Sequence, residues 1–310
     1  MNEPKRHHWW PECQSKYWAD ASGLLYATRS DGTNFRSSPE NIGVEGQLYT
    51  RFGPDGSRDV AIETWFGREV EDPFASIFDG LIALDNIQRT PFRPDPHKRQ
   101  VVENLGYVTQ DYREHTSITA KERKIVADYV AALVVRNPFY LERILKFHQE
   151  NNQAPDKNTG KTITLENMLY VFGIYRDVIL RSDFMLVVRE DSHEFLFSDS
   201  GITVTEPWRA EPIPFDIHFP LTPSIALNVL PGPPAVRWSS ENIEIMRARN
   251  AGIDRSNRLA LGSARRFVFS HSPVPGDYIE KYFGKPAPSP YGYRFVDGKM
   301  EFKYDASRDI

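Results

Sequence analysis

The feature that most restricts how this 310-residue chain can fold is a change of periodicity close to residue 184. Before that point apolar residues recur mostly at helical spacing, and after it they come in short runs between turn residues. Ile62, Trp65, Phe66 and Val70 form one helical stripe. Phe74, Ile77, Phe78, Leu81, Leu84 and Ile87 form a second, opened by Asp72-Pro73 as N-cap and first-turn proline. Thr119-Ala120-Lys121-Glu122 has the form of a capping box and starts a helix whose Val126, Tyr129, Val130 and Leu133 share a face. Pro138 ends or restarts that helix, and Phe139 to Gln149 and Leu165 to Leu180 supply two more. The proline-bearing stretch 90–100 reads as a loop, as does the polar stretch 150–161.

Strands are expected at Phe184 to Arg189, Glu194 to Ser198, Ile202 to Thr205 and Ile225 to Val229. Leu24 to Phe35 reads as a hairpin with Asp31-Gly32 in its turn. Glu241 to Ala264 returns to helix, and the tail from His271, rich in proline and aromatics, reads as irregular. These elements predict an α+β fold in which a central helical bundle packs on a small, mostly antiparallel sheet joined by the N-terminal hairpin. The expected organisation is one domain over 1–270 and an irregular C-terminal extension, 271–310, packed on it.

With 40% hydrophobic and 26% charged residues, the composition is that of a soluble globular protein. No apolar run approaches the roughly 20 residues a bilayer span needs, and the start lacks the apolar stretch of a signal peptide. The single cysteine, Cys13, excludes an intrachain disulfide and a thiolate-rich zinc site. These features together predict a cytoplasmic protein with no membrane partner. A net charge of −4 excludes a global field that recruits nucleic acid, so phosphate binding needs a local patch. Arg247, Arg249, Arg255, Arg258, Arg265 and Arg266 supply one, against a single acid, Asp254. They suit contacts to nucleic acid or a nucleotide, although a solvated helix face explains such runs more often. Arg143 to His148 fits the spacing of some helical ribonucleases. Glycine-rich phosphate loops, His-Glu-x-x-His helices and Gly-x-Ser-x-Gly elbows are absent, so no nucleotide cofactor is expected.

The polar residues that stand out begin with His7-His8, set beside Trp9-Trp10-Pro11. On a strand the two imidazoles point to opposite faces, so one of them is the metal ligand or general base, or else both are packed in an aromatic cluster. Asp199 ends the row of Phe195 and Phe197 and is either a catalytic or metal-binding carboxylate or an Asx cap on Ser200-Gly201. Arg136, three residues after Leu133, continues an apolar stripe and therefore points inward, toward a buried carboxylate or a substrate anion. Glu63 sits at the edge of the Ile62, Phe66, Val70 stripe.

The order His7-His8-x-x-Pro11, Ile62-Glu63, Arg136-Asn137-Pro138, Phe197-Ser198-Asp199, Phe219-Pro220-Leu221-Thr222-Pro223 and Asn257 before Arg266-Phe267-Val268 resembles the bacterial family called domain of unknown function 4238. The resemblance runs from His7 to about Phe269, and Gly201-Ile202 stands where that pattern has Pro-Val. It implies that His7, His8, Glu63, Arg136, Asp199 and Asn257 occupy marked positions, which favours a shared polar site. The expectation is a metal-dependent hydrolase, a nuclease or phosphodiesterase of a bacterial stress or defence system. His8, Glu63 and Asp199 would hold one divalent ion (magnesium, manganese or zinc), His7 or His8 would act as base, and Arg136, Asn257 and Arg258 would bind substrate. The alternative is a non-enzymatic sensor or protein-interaction module, a homo-oligomer included, whose polar residues form a structural network.

Overall fold

The structure is a computed structural model that describes residues 6–53, 55, 57–151, 156–204, 217–230, 241–285, 291–296 and 299–304. Strand β1 (Arg6–His8) leads into the short helix α1 (Glu12–Ser15). The expected hairpin forms as β2 (Leu25–Arg29) and β3 (Asn34–Ser37), with Gly32 at φ +81° in its turn, a conformation that needs no Cβ. Strand β4 (Val44–Gly46) pairs antiparallel with β1, and β5 (Arg51–Phe52) pairs with β6 (Arg58–Asp59).

Helices α2 (Ala61–Phe66) and α3 (Asp72–Ala83) are joined without a break by a π-helical segment, Gly67–Glu71. Asp72 is therefore helical and not the expected N-cap. Pro73 falls where bonding passes from the π to the α pattern, so its missing N–H interrupts little. The stretch expected as a loop over 90–100 contains instead the end of β7 (Gln88–Pro91) and the start of α4 (Pro96–Asn104). Asp95 accepts the N–H groups of His97 (2.9 Å) and Lys98 (3.2 Å), so Pro96 opens a capped helix.

Strand β8 (Tyr112–Ser117) precedes α5 (Ala120–Arg136), which starts at the expected Thr119–Glu122 capping box. Every residue from Val126 to Arg136 is buried, so α5 is enclosed on all sides. A single residue, Asn137, separates it from α6 (Pro138–Glu150). Helix α7 (Lys157–Leu180) begins well before Leu165, because Asp156 accepts the N–H groups of Asn158 and Thr159 (2.9 Å each) inside the segment expected as a loop.

The strands that follow are β9 (Asp183–Arg189), β10 (Phe197–Ser198), β11 (Thr203–Val204), β12 (Ile217–Thr222) and β13 (Ile225–Leu230). The helix expected over 241–264 divides into β14 (Asn242–Ala248) and α8 (Asn250–Ser263). Ile243 and Ile245 are buried on one face of β14, a period of two that the helix-favouring residues around them obscured. Beyond β15 (Phe267–Ser270) the tail is not wholly irregular: it forms α9 (Gly276–Tyr282) and the pair β16 (Tyr291–Val296) and β17 (Lys299–Tyr304).

The main sheet has the order β11-β12-β13-β9-β14-β8-β7, antiparallel except where β14 runs parallel to β9. The N-terminal hairpin joins a separate antiparallel sheet, β10-β15-β2-β3, and not the main one. One core takes in Phe74 of α3, Val130 of α5, Met168 of α7, Leu186 and Phe219 of the main sheet and Phe269 of the second. Burying each such side chain contributes about 1.5–3 kcal/mol. Ile279 of α9 packs with Leu261 of α8 in a smaller cluster. No helix among the described residues is long and apolar enough to cross a membrane.

Candidate acid–base site at the end of helix α5

Arg136 is the last residue of α5 and is 1% exposed. A cation suits the C-terminal end of a helix, where the backbone carbonyls lack partners. Its guanidinium lies between two rings, 4.9 Å from the centroid of Tyr49 and 4.7 Å from that of Phe66. One terminal nitrogen donates to Glu71, and the other donates to the carbonyl of His8 (2.5 Å) and, at 3.4 Å, to Glu63. Burial works against its charge, but Tyr49, Glu71 and Glu63 outweigh it and hold the pKa above its ordinary range. Tyr49, a neutral phenol because burial pushes its pKa up, donates to the carbonyl of Arg136 (2.7 Å).

Glu63 and Glu71 reach the same guanidinium from positions eight residues apart. On an unbroken α-helix they would differ by about 80° around the axis. The wider π turn between them absorbs about one extra residue and brings both carboxylates onto the face toward α5. Glu63 remains 17% exposed at its side chain. Burial raises its pKa from 4.5 to about 7, with Glu71 adding to the rise while Arg136 and the N–H of His8 oppose it. A carboxyl that titrates near neutrality beside a fixed cation is the chemical property that distinguishes this cluster.

The histidines do lie on a strand, β1, whose alternation sends successive side chains to opposite faces. His7 is fully buried, stacks on Tyr49 at 5.7 Å and accepts the backbone N–H of Tyr49 through Nδ1 (2.9 Å). His8 contributes its main chain, the carbonyl to Arg136 and the N–H to Glu63. Thus β1, α2, the π segment and α5 converge on one cluster of His7, His8, Tyr49, Glu63, Glu71 and Arg136.

Asp199 is buried as expected, but its partners lie elsewhere. Its two oxygens accept the N–H groups of Arg265 (2.8 Å) and Arg266 (2.6 Å), which clip the turn between α8 and β15. Burial raises its pKa, and the N–H groups of Arg265, Arg266 and Phe267 pull it back. The side chain therefore does not cap Ser200-Gly201. That turn closes through the N–H of Gly201 on Ser198 (2.9 Å), with Gly201 at φ +82°, which a proline ring cannot adopt. Asn137 ties this turn to the cluster: its amide donates to the carbonyl of Ser200 while its oxygen accepts the N–H of Phe139 (2.8 Å).

Asn257 uses its amide on the backbone as well, accepting from Leu196 (2.9 Å) and donating to Glu194 (2.7 Å). Arg258 lies over the Tyr282 ring at 4.9 Å, and Arg247 is bound by Glu114 (2.6 Å) and Glu190 (2.7 Å). Of the arginine-rich stretch, Arg249, Arg265 and Arg266 are exposed; Arg265 and Arg266 both lie over the ring of Phe139, at 5.7 and 5.5 Å, and Arg266 also faces the Asp199 carboxylate at 3.8 Å. Of the three residues expected around an ion, His8 and Glu63 meet through the His8 N–H, while Asp199 accepts from the turn at Arg265 and Arg266. Among the described residues no group of three or more His, Cys, Asp or Glu is placed to hold a metal ion.

Sequence reasoning missed Tyr49, Glu71 and Asn137. A π segment has no periodic signature to betray Glu71, and Tyr49 stands in no patterned run. Asn137 was legible in principle, as an N-cap residue directly before Pro138. Comparison with curated proteins and with solved structures finds no match. The stretch that carries every residue of this cluster, 6–273, matches the family described as Protein of unknown function (DUF4238), and the chain belongs to that family.

Proposed function

We propose that the protein is a hydrolase in which Glu63 acts as general base toward water, with a phosphodiester as substrate. The observation that carries this reading is the Glu63 carboxyl itself, partly exposed, fixed by Arg136 and the main chain of His8, and titrating near 7. In the step, Glu63 takes a proton as water adds to phosphorus, the ester P–O bond breaks, and the proton passes to the departing oxygen. Arg136 orients Glu63 and keeps its charged form accessible. It is a positioning residue here, because both of its terminal nitrogens already donate within the cluster, one to Glu71 and the other to Glu63 and the carbonyl of His8. A phosphodiester is supported by the exposed Arg265 and Arg266 over Phe139, three residues along the chain from Arg136. The reading places no step on an ion held by His8, Glu63 and Asp199.

The test is hydrolysis of bis-p-nitrophenyl phosphate and of a nuclease-sensitive oligonucleotide by the purified chain, with EDTA and with added magnesium, manganese or zinc as separate arms. Glu63→Gln is expected to lower kcat/KM by about a hundredfold or more while the protein stays folded. Equal rates in the variant and the wild type overturn the reading. A second reading, a binding module whose polar residues specify the fold, is favoured by Asp199 and Asn257 spending their polar atoms on backbone groups. Under it, Glu63→Gln alters stability alone.

A further inference from the structure

The outer side of α2 carries a groove that none of the preceding chemistry uses. Its volume is about 470 Å³, within the range of small-molecule sites, and its lining includes Arg58, Asp59, Thr64, Trp65, Arg68 and Glu69. Ala61, Thr64, Trp65 and Arg68 stand at i, i+3, i+4 and i+7, so they form one helical stripe. Glu63 lies on the other side of the helix, toward Arg136. The two features are separate, and neither depends on the other.

Three properties of the lining point to one ligand chemistry. Trp65 is 39% exposed although its indole is fixed by edge-on contacts to Phe66 (5.0 Å) and Phe172 (5.4 Å). A large aromatic held rigidly and left partly bare suits stacking with a planar ring. Arg58 and Arg68 are exposed and have no ion pair or side-chain hydrogen bond among the described residues. Most of the other arginines detailed above have their charge answered by an acid or stacked on a ring. Asp59 does not neutralise the groove, because Arg51 holds its carboxylate. The remaining charges are two guanidiniums against Glu69, a small positive balance that fits one phosphate ester and not a polyanionic strand, which needs a longer run of cations.

We propose that this groove binds a nucleoside monophosphate, its base on Trp65 and its phosphate held by Arg58 and Arg68. The chain as a whole carries a net charge of −4, so the attraction is local and short in range. Thr64 supplies a hydroxyl within the same lining for the sugar or base edge.

The experiment is calorimetric titration of the full chain with AMP, GMP, CMP and UMP, with the nucleosides and inorganic phosphate as controls that each lack half of the ligand. At least one monophosphate is expected to bind about tenfold or more tightly than its nucleoside and than phosphate alone. Arg58→Ala, Arg68→Ala and Trp65→Leu are each expected to weaken it by about tenfold. The arginines are exposed, so their variants are expected to melt with the wild type, and they keep the test valid if Trp65→Leu loosens the packing on Phe172. No saturation by any monophosphate up to about 1 mM overturns the proposal, as does an Arg58→Ala, Arg68→Ala double variant that binds like the wild type. Competition by inorganic phosphate as strong as by the monophosphate also overturns it, since the base would then contribute nothing.

Discussion

At the level of single side chains, the contrast between Glu63 and Asp199 shows how burial is compensated differently in one molecule. Both carboxyls are raised by desolvation. Asp199 spends both oxygens on backbone N–H groups of a turn, whereas Glu63 shares its guanidinium with Glu71 and keeps part of its surface in contact with solvent. The raised pKa of Glu63 has a thermodynamic consequence. Between pH 4.5 and about 7 the folded state binds a proton that the unfolded state releases, so stability falls as pH rises through that window. The effect is about 3 kcal/mol at most for a shift of this size. Glu63→Gln is therefore expected to flatten the wild-type decline in chemical-denaturation midpoint across this range. A slope unchanged from the wild type would place the titration on another group. Several of these residues were legible from the chain alone. The inward direction of Arg136 followed from its place in the stripe, and the opposed faces of His7 and His8 followed from strand geometry. What each residue touches was not legible, because Glu71, Tyr49 and the turn at 265–266 are distant in sequence.

Among the elements, the junction from α5 to α6 is the one on which the cluster depends most. Asn137 is the C-cap of one helix and the N-cap of the next, and its amide also holds the Ser200 turn. Thr119, at the other end of α5, serves as a cap alone. Thr119→Ala is expected to cost about 1 kcal/mol, and Asn137→Ala about 2–3 kcal/mol, because the second also leaves the Ser200 carbonyl without its donor. Urea denaturation of both variants checks the order, and equal losses would show that the Ser200 contact contributes nothing. The elements were readable wherever one period ran long enough, as in α3, α5 and the β2–β3 hairpin. They were misread where local composition and tertiary environment disagreed. Glu241, Glu244 and Met246 around Ile243 and Ile245 favour helix by local propensity, and only the sheet neighbours β8 and β9 make that segment β14. The π segment before α3 was also beyond reach, since it has no periodic signature in the sequence.

For the molecule as a whole, the cluster fastens the N-terminal strand to the central helix. His7 is tied to Tyr49, Tyr49 to the carbonyl of Arg136, and Arg136 to the carbonyl of His8. Removing the guanidinium leaves Glu63 and Glu71 facing each other without a cation. Arg136→Met is expected to cost more than about 3 kcal/mol, and adding Glu63→Gln and Glu71→Gln is expected to recover a substantial part. Thermal denaturation of the single and triple variants checks this. No recovery would mean that packing between Tyr49 and Phe66, and not charge, is what Arg136 supplies. The α+β class was readable because the change of periodicity near residue 184 survives in the structure, with most helices before it and the centre of the main sheet after it. The division into two sheets was not readable, since β2 and β15 are brought together by a pairing more than two hundred residues apart. The claim that unites these scales is that the fold holds one carboxyl, Glu63, poised near neutral pH. Isotope-edited NMR titration of the glutamate carboxyl carbons, with the Glu63 signal assigned by its loss in Glu63→Gln, tests it directly. The account predicts a midpoint near 7 for that signal, and a midpoint at or below 4.5 would contradict it.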